Sequence, residues 1–397
     1  MTAEIMELAD QVIAKTYKRF PVVLEKGDGC TLYDTDGRSY TDFVAGIAVC
    51  NLGHAHPAVT RAVVAQAQIL WHVSNLYYTI PQVELAAWLV KNSFADRAFF
   101  CNSGAEANEA AIKLARKYYS DRGQSHRYKI ITMEQSFHGR TMATLSATGQ
   151  DKIKKGFDPI LDGFDYVPFN DVAALQAKIT PDTCAVMLEP VQGEGGVRCP
   201  DRDYLKAVRK ICDENDVLLI FDEIQTGMGR TGTLFAYQNF AVEPDIMTLA
   251  KALANGLPIG AMLAREEVAD AFGPGAHATT FGGTPFVTAA ALEVCKTLLE
   301  GNAVEQGRQS AEYFREKLHG LKKRHAAIVD VRGLGMLLGI KLNFKAESMV
   351  DQCMQRGFFI NCIQENILRF VPPLTIKEAE IDALVGCLDE LLREKKD

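Results

Sequence analysis

The chain has no apolar run long enough to cross a membrane. Its opening, MTAEIMELAD, carries acids where a secretory leader has basic residues followed by an apolar stretch. Its ten cysteines (Cys30, Cys50, Cys101, Cys184, Cys199, Cys212, Cys295, Cys353, Cys362 and Cys387) include no CxxC pair. With no sign of secretion they read as buried, reduced thiols, and the expected location is the cytoplasm. Positive charge is short: 43 Lys and Arg stand against 50 Asp and Glu, a net charge of −7. That argues against nucleic-acid binding and leaves room for a local basic pocket. His54 and His56 in GHAHP lack a third ligand at suitable spacing, so a turn is expected there and no metal site. RGLGMLLG (Arg332–Gly339) is not a GxGxxG opening a helix, and TGMGRTG (Thr226–Gly232) lacks the GK[ST] ending of a phosphate loop. Both read as tight turns. No repeat or low-complexity linker divides the chain.

What is present is ordinary globular material, 48% hydrophobic and 23% charged, in 397 residues that call for more than one domain. Apolar spacing predicts a helix over 4–18. Short strands follow at Val22–Leu24, Cys30–Tyr33 and Ser39–Phe43, broken by the turns KGDG and DTDG, and then a helix at Ala58–Leu70. From Ala98 strands and helices alternate: strands Ala98–Cys101, Tyr128–Met133, Phe164–Pro168 and Cys184–Glu189, with helices Ala105–Tyr119, Val172–Lys178 and Asp203–Asn215. Such alternation builds a mainly parallel sheet covered by helices on both faces. After Phe286 the pattern changes to long helices at Val287–Leu299 and Glu305–Leu321. Strands near Ile328–Arg332, Leu337–Leu342, Phe358–Asn361 and Ile367–Phe370 follow, with helices at Ser348–Arg356 and Lys377–Lys395. The expected division is an N-terminal segment, 1–45, joined to a small α+β domain, 287–397, around a large α/β domain, 46–286.

Two apolar runs in the large domain end in chemistry. Val217–Phe221 stops at Asp222 and Glu223, and Asp245–Leu249 stops at Ala250 and Lys251. Ligands of parallel sheets collect at the carboxyl ends of the strands, so if these strands are neighbours the acid and the lysine face one crevice. Pyridoxal phosphate wants this pair: an amine whose pKa burial lowers, to bond with the aldehyde, and a carboxylate to keep the pyridine nitrogen protonated. An ion pair at contact is worth about 4 kcal/mol at an effective dielectric of 20, or roughly three pKa units. The turn Asn102-Ser103-Gly104, between a strand and a helix, offers free backbone N–H groups and a helix dipole to a phosphate.

SGAEANEAAIKLAR, FHGRT, EPVQGEGG, DEIQTGMGRTG, LAKALANGLPIGA, HATTFGG and LRFVPPL occur in the order found in class III pyridoxal-phosphate aminotransferases. From Tyr17 to the FVPPL segment the chain resembles that family, and most closely its acetylornithine-using members. The resemblance implies the type I aminotransferase fold, a large domain with a mainly parallel, seven-stranded-type sheet and a smaller α+β domain. It casts Lys251 as the residue bonded to the cofactor and as the acid/base, and Asp222 as the partner of the ring nitrogen. Gln225 falls near the phenolic oxygen, Phe137 and Ile224 on the two ring faces, and Ser103, Gly104 and Ala105 at the phosphate. Glu223 is grouped with the cofactor-binding set. Thr280 resembles a threonine that reaches the phosphate from a partner subunit, which implies a homodimer with shared active sites. Arg140, Thr279 and Tyr17 resemble substrate-side residues, and Glu194 with Arg369 resembles a pair that switches between substrates. Ala278 and Thr284 depart from the glycine and asparagine frequent in the family.

The implied reaction is transamination of N2-acetylornithine with 2-oxoglutarate, giving N-acetylglutamate 5-semialdehyde and glutamate, as in arginine biosynthesis. Ornithine, 4-aminobutyrate, succinylornithine and N-succinyldiaminopimelate remain open as alternative amines. An aminomutase resembling glutamate-1-semialdehyde aminomutase remains open as an alternative reaction.

Overall fold

The structure is a computed structural model that describes residues 2–394. Its centre is a seven-stranded sheet of β4 (Arg97–Cys101), β5 (Lys129–Met133), β6 (Phe164–Val167), β7 (Thr183–Leu188), β8 (Leu218–Asp222), β9 (Ile246–Leu249) and β10 (Gly260–Ala264), after the N-terminal strands β1 (Leu24–Asp28), β2 (Thr31–Asp34) and β3 (Ser39–Asp42). The spatial order is β4-β10-β9-β8-β7-β5-β6. The pairs from β6 to β9 are parallel, and β10 runs antiparallel between β9 and β4. TCAVML, LLIFD and IMTL in β7, β8 and β9 are buried at every position, because helices cover both faces of the sheet.

The second sheet, ordered β11-β12-β15-β14, is built from β11 (Ile328–Leu334), β12 (Leu337–Leu342), β14 (Asn361–Ile363) and β15 (Ile367–Phe370). It carries the helices Ala303–Arg324 and Glu378–Glu394, the latter ending at the limit of the described residues, outside which Lys395 falls. The strand expected at Phe358–Asn361 is split. Its first half, β13 (Phe358–Phe359), leaves that sheet and pairs in parallel with β3, placing Phe358 opposite Thr41. The helix Pro285–Leu299 packs against the helices Pro57–Ala67 and Ile80–Lys91 and the turn Lys251–Ala254.

Several elements differ from the sequence-based expectations. The first helix stops at Val12, and its apolar residues Ile5, Leu8 and Val12 are exposed, so no packing carries it on to residue 18. KGDG belongs mostly to β1, and the chain turns at Gly29, whose φ of 54° suits glycine. The helix Ile80–Lys91 and strand β10 were not expected from the sequence. Thr226–Gly232 is a turn as expected, whereas Arg332–Gly339 belongs mostly to β11 and β12 and turns only at Gly335 and Met336. The two pack together, since a Cβ on Gly335 would lie 2.3 Å from the carbonyl carbon of Thr231. His54 bonds to Asp42 at 2.8 Å.

Candidate active site

Neighbouring parallel strands lie about 4.8 Å apart, so the ends of β7, β8 and β9 bring Glu189, Asp222 and Lys251 to one crevice. That crevice is a cavity of about 410 Å³, within the roughly 300–1,000 Å³ typical of small-molecule sites. Ser103, Gly104, Ala105, Phe137, Arg140, Glu194, Asp222, Ile224, Gln225 and Lys251 all line it.

Asp222 is 3% exposed and tightly held. Its Oδ2 accepts from Asn108 Nδ2 and His138 Nδ1, each at 2.8 Å, and its Oδ1 accepts from the Ile224 N–H at 3.0 Å. Asn108 also donates to the His138 carbonyl and accepts from the Thr248 hydroxyl, at 2.7 Å in both bonds. A buried carboxylate so bonded keeps one orientation and presents its charge to the cavity.

Lys251 follows β9 with a φ of 44°, in the left-handed region that lysine seldom adopts. Burial lowers its pKa, partly offset by Glu194 and reinforced by Arg369, which enlarges the fraction present as neutral amine. Burial, then the charge of Asp222, pushes the pKa of the neighbouring Glu189 well above the usual carboxylate range. Its Oε2 accepts from the Phe137 N–H at 3.2 Å.

Ser103 caps the helix Gly104–Ser120 through a 3.2 Å bond from the Glu106 N–H. The first N–H groups of that helix have no acceptor within it, which makes an anion site. A Cβ on Gly104 would lie 2.8 Å from the Ile224 side chain, so glycine lets Ile224 form the cavity floor. Above it, Arg140 carries its guanidinium 5.5 Å from the Phe137 ring centroid. Arg369 on β15 lies behind the wall, 1% exposed, and donates to Glu194 Oε1 at 2.5 Å and to Gln225 Oε1 at 3.4 Å. Burial alone would raise the Glu194 pKa; the charge and hydrogen bond of Arg369 outweigh it and hold Glu194 below the usual range.

Four of the residues singled out in the sequence lie elsewhere. Glu223, grouped there with the cofactor-binding set, faces away from the cavity. Its carboxylate accepts from the Ala236 and Tyr237 N–H groups at 2.5 and 2.8 Å, because alternation along the chain turns it opposite to Asp222. Tyr17 is 74% exposed and does not line the cavity. Thr279 accepts from Asn102 Nδ2 at 3.1 Å, at the rim, while Thr280 lies in a separate crevice with Ser74, Asn75 and Gln82. Asn108, His138, Glu189 and Thr248 were not singled out. The signal for Thr248 was a polar residue among apolar ones, and Asn108, His138 and Glu189 stand inside the quoted motifs.

The residues present fit pyridoxal phosphate: a helix N-terminus for phosphate at one end, a fixed buried carboxylate at the other, and a lysine between apolar walls. Residues 12–392 match the family model described as aminotransferase class-III. The chain is 51% identical to the acetylornithine aminotransferase of Methanocaldococcus jannaschii, over 98% of each protein, and 51% identical to that of Caldanaerobacter subterraneus over 96% of each. Among solved structures, the ornithine aminotransferase of Toxoplasma gondii superposes with a TM-score of 0.96 at 31% identity, covering all of this chain and 96% of that one. The N-acetylornithine aminotransferase of Stenotrophomonas maltophilia gives 0.85 at 39% identity over 98% of each chain. The sheet of seven strands beside a smaller α+β part is the type I fold that the motifs implied, and the chain belongs to the class III aminotransferases.

Proposed function

We propose that the chain moves the δ-amine of N2-acetylornithine to 2-oxoglutarate, leaving N-acetylglutamate 5-semialdehyde and glutamate, and that it does so with pyridoxal phosphate. The cavity residues support each part. Ser103, Gly104 and Ala105 would hold the phosphate, Asp222 the ring nitrogen, Phe137 and Ile224 the ring faces, Gln225 the phenolic oxygen and Lys251 the aldehyde. When bound, the cofactor supplies a ring that accepts the electron pair left on the substrate carbon. Lys251, its pKa lowered by burial, would take the proton from that carbon and return it on the opposite side of the transfer. Asp222, locked by Asn108 and His138, cannot turn away while charge develops near it. The low exposure of Asp222 keeps water off the pair.

The observation that carries the substrate reading is the Glu194–Arg369 pair. The amine of acetylornithine lies far from its carboxylate, whereas that of glutamate lies beside one. A free buried arginine near the reacting carbon is a costly state when no carboxylate meets it. With Glu194 on Arg369 the site suits the first substrate; with Glu194 withdrawn, Arg369 receives the α-carboxylate of glutamate. Arg140 holds the distal carboxylate in both. The names of the relatives support the same amine. The fit to an ornithine aminotransferase structure favours ornithine as the second reading.

A panel of amines assayed with 2-oxoglutarate tests the proposal. Acetylornithine should give the highest kcat/KM, and a preference for ornithine or 4-aminobutyrate would reject it. Turnover without a keto-acid acceptor would point instead to an aminomutase. We further propose a homodimer in which Thr280 completes the phosphate site of the partner. Leu76, Tyr77, Tyr78, Ile80 and Phe281 form an exposed apolar surface beside that threonine, and Tyr78 is 97% exposed.

A further inference from the structure

Arg230 is a large, fully buried side chain that takes no part in the cavity. Its hydrogen-bond acceptors are neutral. Nη1 donates to the Met336 carbonyl at 2.9 Å and to the Pro372 carbonyl at 2.6 Å, Nη2 donates to Asn51 Oδ1, and Nε is buried without a partner. Asn51 in turn donates to the Met228 carbonyl at 2.8 Å, and its own carbonyl accepts from the Leu374 N–H at 2.7 Å. The Met336 N–H returns to the Arg230 carbonyl at 2.9 Å. One guanidinium thus gathers four segments: the chain entering the large domain, the turn after β8, the start of β12 and the end of β15.

Two of those segments flank Arg369. In the β12–β15 pairing Gly339 stands opposite Arg369, with Met336 three residues before Gly339 and Pro372 three after Arg369, both at the same end of the ladder. The turn that carries Arg230 begins just after Gln225, which itself bonds to Arg369. Arg230 therefore fixes the end of the strand pair that holds Arg369 against the loop that holds its cavity-side neighbour. We propose that Arg230 is a positioning residue that sets the reach of Arg369 into the cavity, and so governs the use of substrates carrying an α-carboxylate beside the reacting amine. The proposal rests on the switching role given above to Arg369. A misplacement of about 1 Å in a carboxylate-binding group costs up to roughly a hundredfold in rate. Arg230→Lys keeps the charge but replaces the planar fork, whose two terminal nitrogens reach separate acceptors, by a single ammonium on a shorter side chain.

The test compares Arg230→Lys with Arg369→Ala and the parent holoenzyme, measuring kcat and KM for glutamate and for acetylornithine separately, and the binding of glutarate by calorimetry without turnover. In Arg230→Lys the KM for glutamate should rise tenfold or more, with kcat within threefold. The KM for acetylornithine should stay within threefold, and glutarate should weaken in step with glutamate. Where Arg230→Lys does not accumulate as folded protein, Asn51→Leu, which removes one acceptor, should show the same selectivity at about threefold. Equal losses for both substrates, or none, in the variant that folds overturn the Arg230 proposal while a selective Arg369→Ala leaves the switch standing. A non-selective Arg369→Ala overturns both.

Discussion

At the scale of single residues, the chemistry rests on the orientation of a few charged groups, and Asp222 is the clearest test. Asp222→Asn keeps the size and most of the hydrogen bonding but removes the charge that, on the proposed reading, would face the ring nitrogen. With an ion pair at contact worth about 4 kcal/mol at an effective dielectric of 20, turnover should fall by about three orders of magnitude. The cofactor should stay bound through its phosphate. Turnover within tenfold of the parent would remove Asp222 from that role. Asp222 and Lys251 were legible in the sequence because each ends an apolar run at a strand terminus, a pattern that neighbours on the chain suffice to show. The groups that hold Asp222 were harder to see: Asn108, His138 and Thr248 come from a helix, a loop and another strand, and only the closed sheet brings them together.

At the scale of elements, the parallel part of the large sheet was readable because both-face burial writes continuous apolar runs. Strand β10 was missed because GAMLA follows a glycine- and proline-bearing turn and reads as part of a loop; its identity comes from being sandwiched between β9 and β4. That strand bears on the site through Gly260, where a Cβ would lie 2.3 Å from the Ser103 carbonyl oxygen and 2.8 Å from Cys101 Sγ. Gly260→Ala should therefore push the Ser103 turn outward and weaken cofactor retention tenfold or more, measured by dialysis against absorbance. Unchanged retention would mean that β10 shifts and the turn does not. The N-terminal sheet is docked by His54 on Asp42. The hydrogen bond to Asp42, aided by Cys50, raises the His54 pKa from 6.5 to about 10. A raised folded-state pKa stabilises fully below about pH 6.5, progressively less above it, and no longer beyond about pH 10. The melting-temperature gap between the parent and His54→Gln should accordingly be widest near pH 6 and close by pH 10. A gap that widened with pH would contradict the pairing.

At the scale of the whole molecule, the exposed apolar stretch around Leu76 and Tyr78 is unlike an ordinary monomer surface. On the proposed dimer, Leu76→Asp combined with Tyr78→Asp should give a monomer in sedimentation that has also lost most of its cofactor affinity, because the proposed contact of Thr280 with a partner's site would be lost. A monomer with undiminished affinity would separate the two claims and reject the shared site. The division expected near residues 45 and 286 was drawn from changes in pattern along the chain. The pairing of β3 with β13 was beyond that method, because two residues of β13 carry no periodic signal of their own. That short pairing also has a bearing on the order of events at the ribosome. The amides of Thr41 and Phe43 bond to the carbonyls of Gly357 and Phe359. At synthesis rates of about 5–20 residues per second, the three N-terminal strands then wait roughly tens of seconds with one edge open before the last strand of their sheet exists. Non-local closure of this kind is slow in refolding as well. Pulse labelling should find Thr41 and Phe43 among the last amides to become protected, and early protection there would show that the N-terminal sheet is finished without its distant strand.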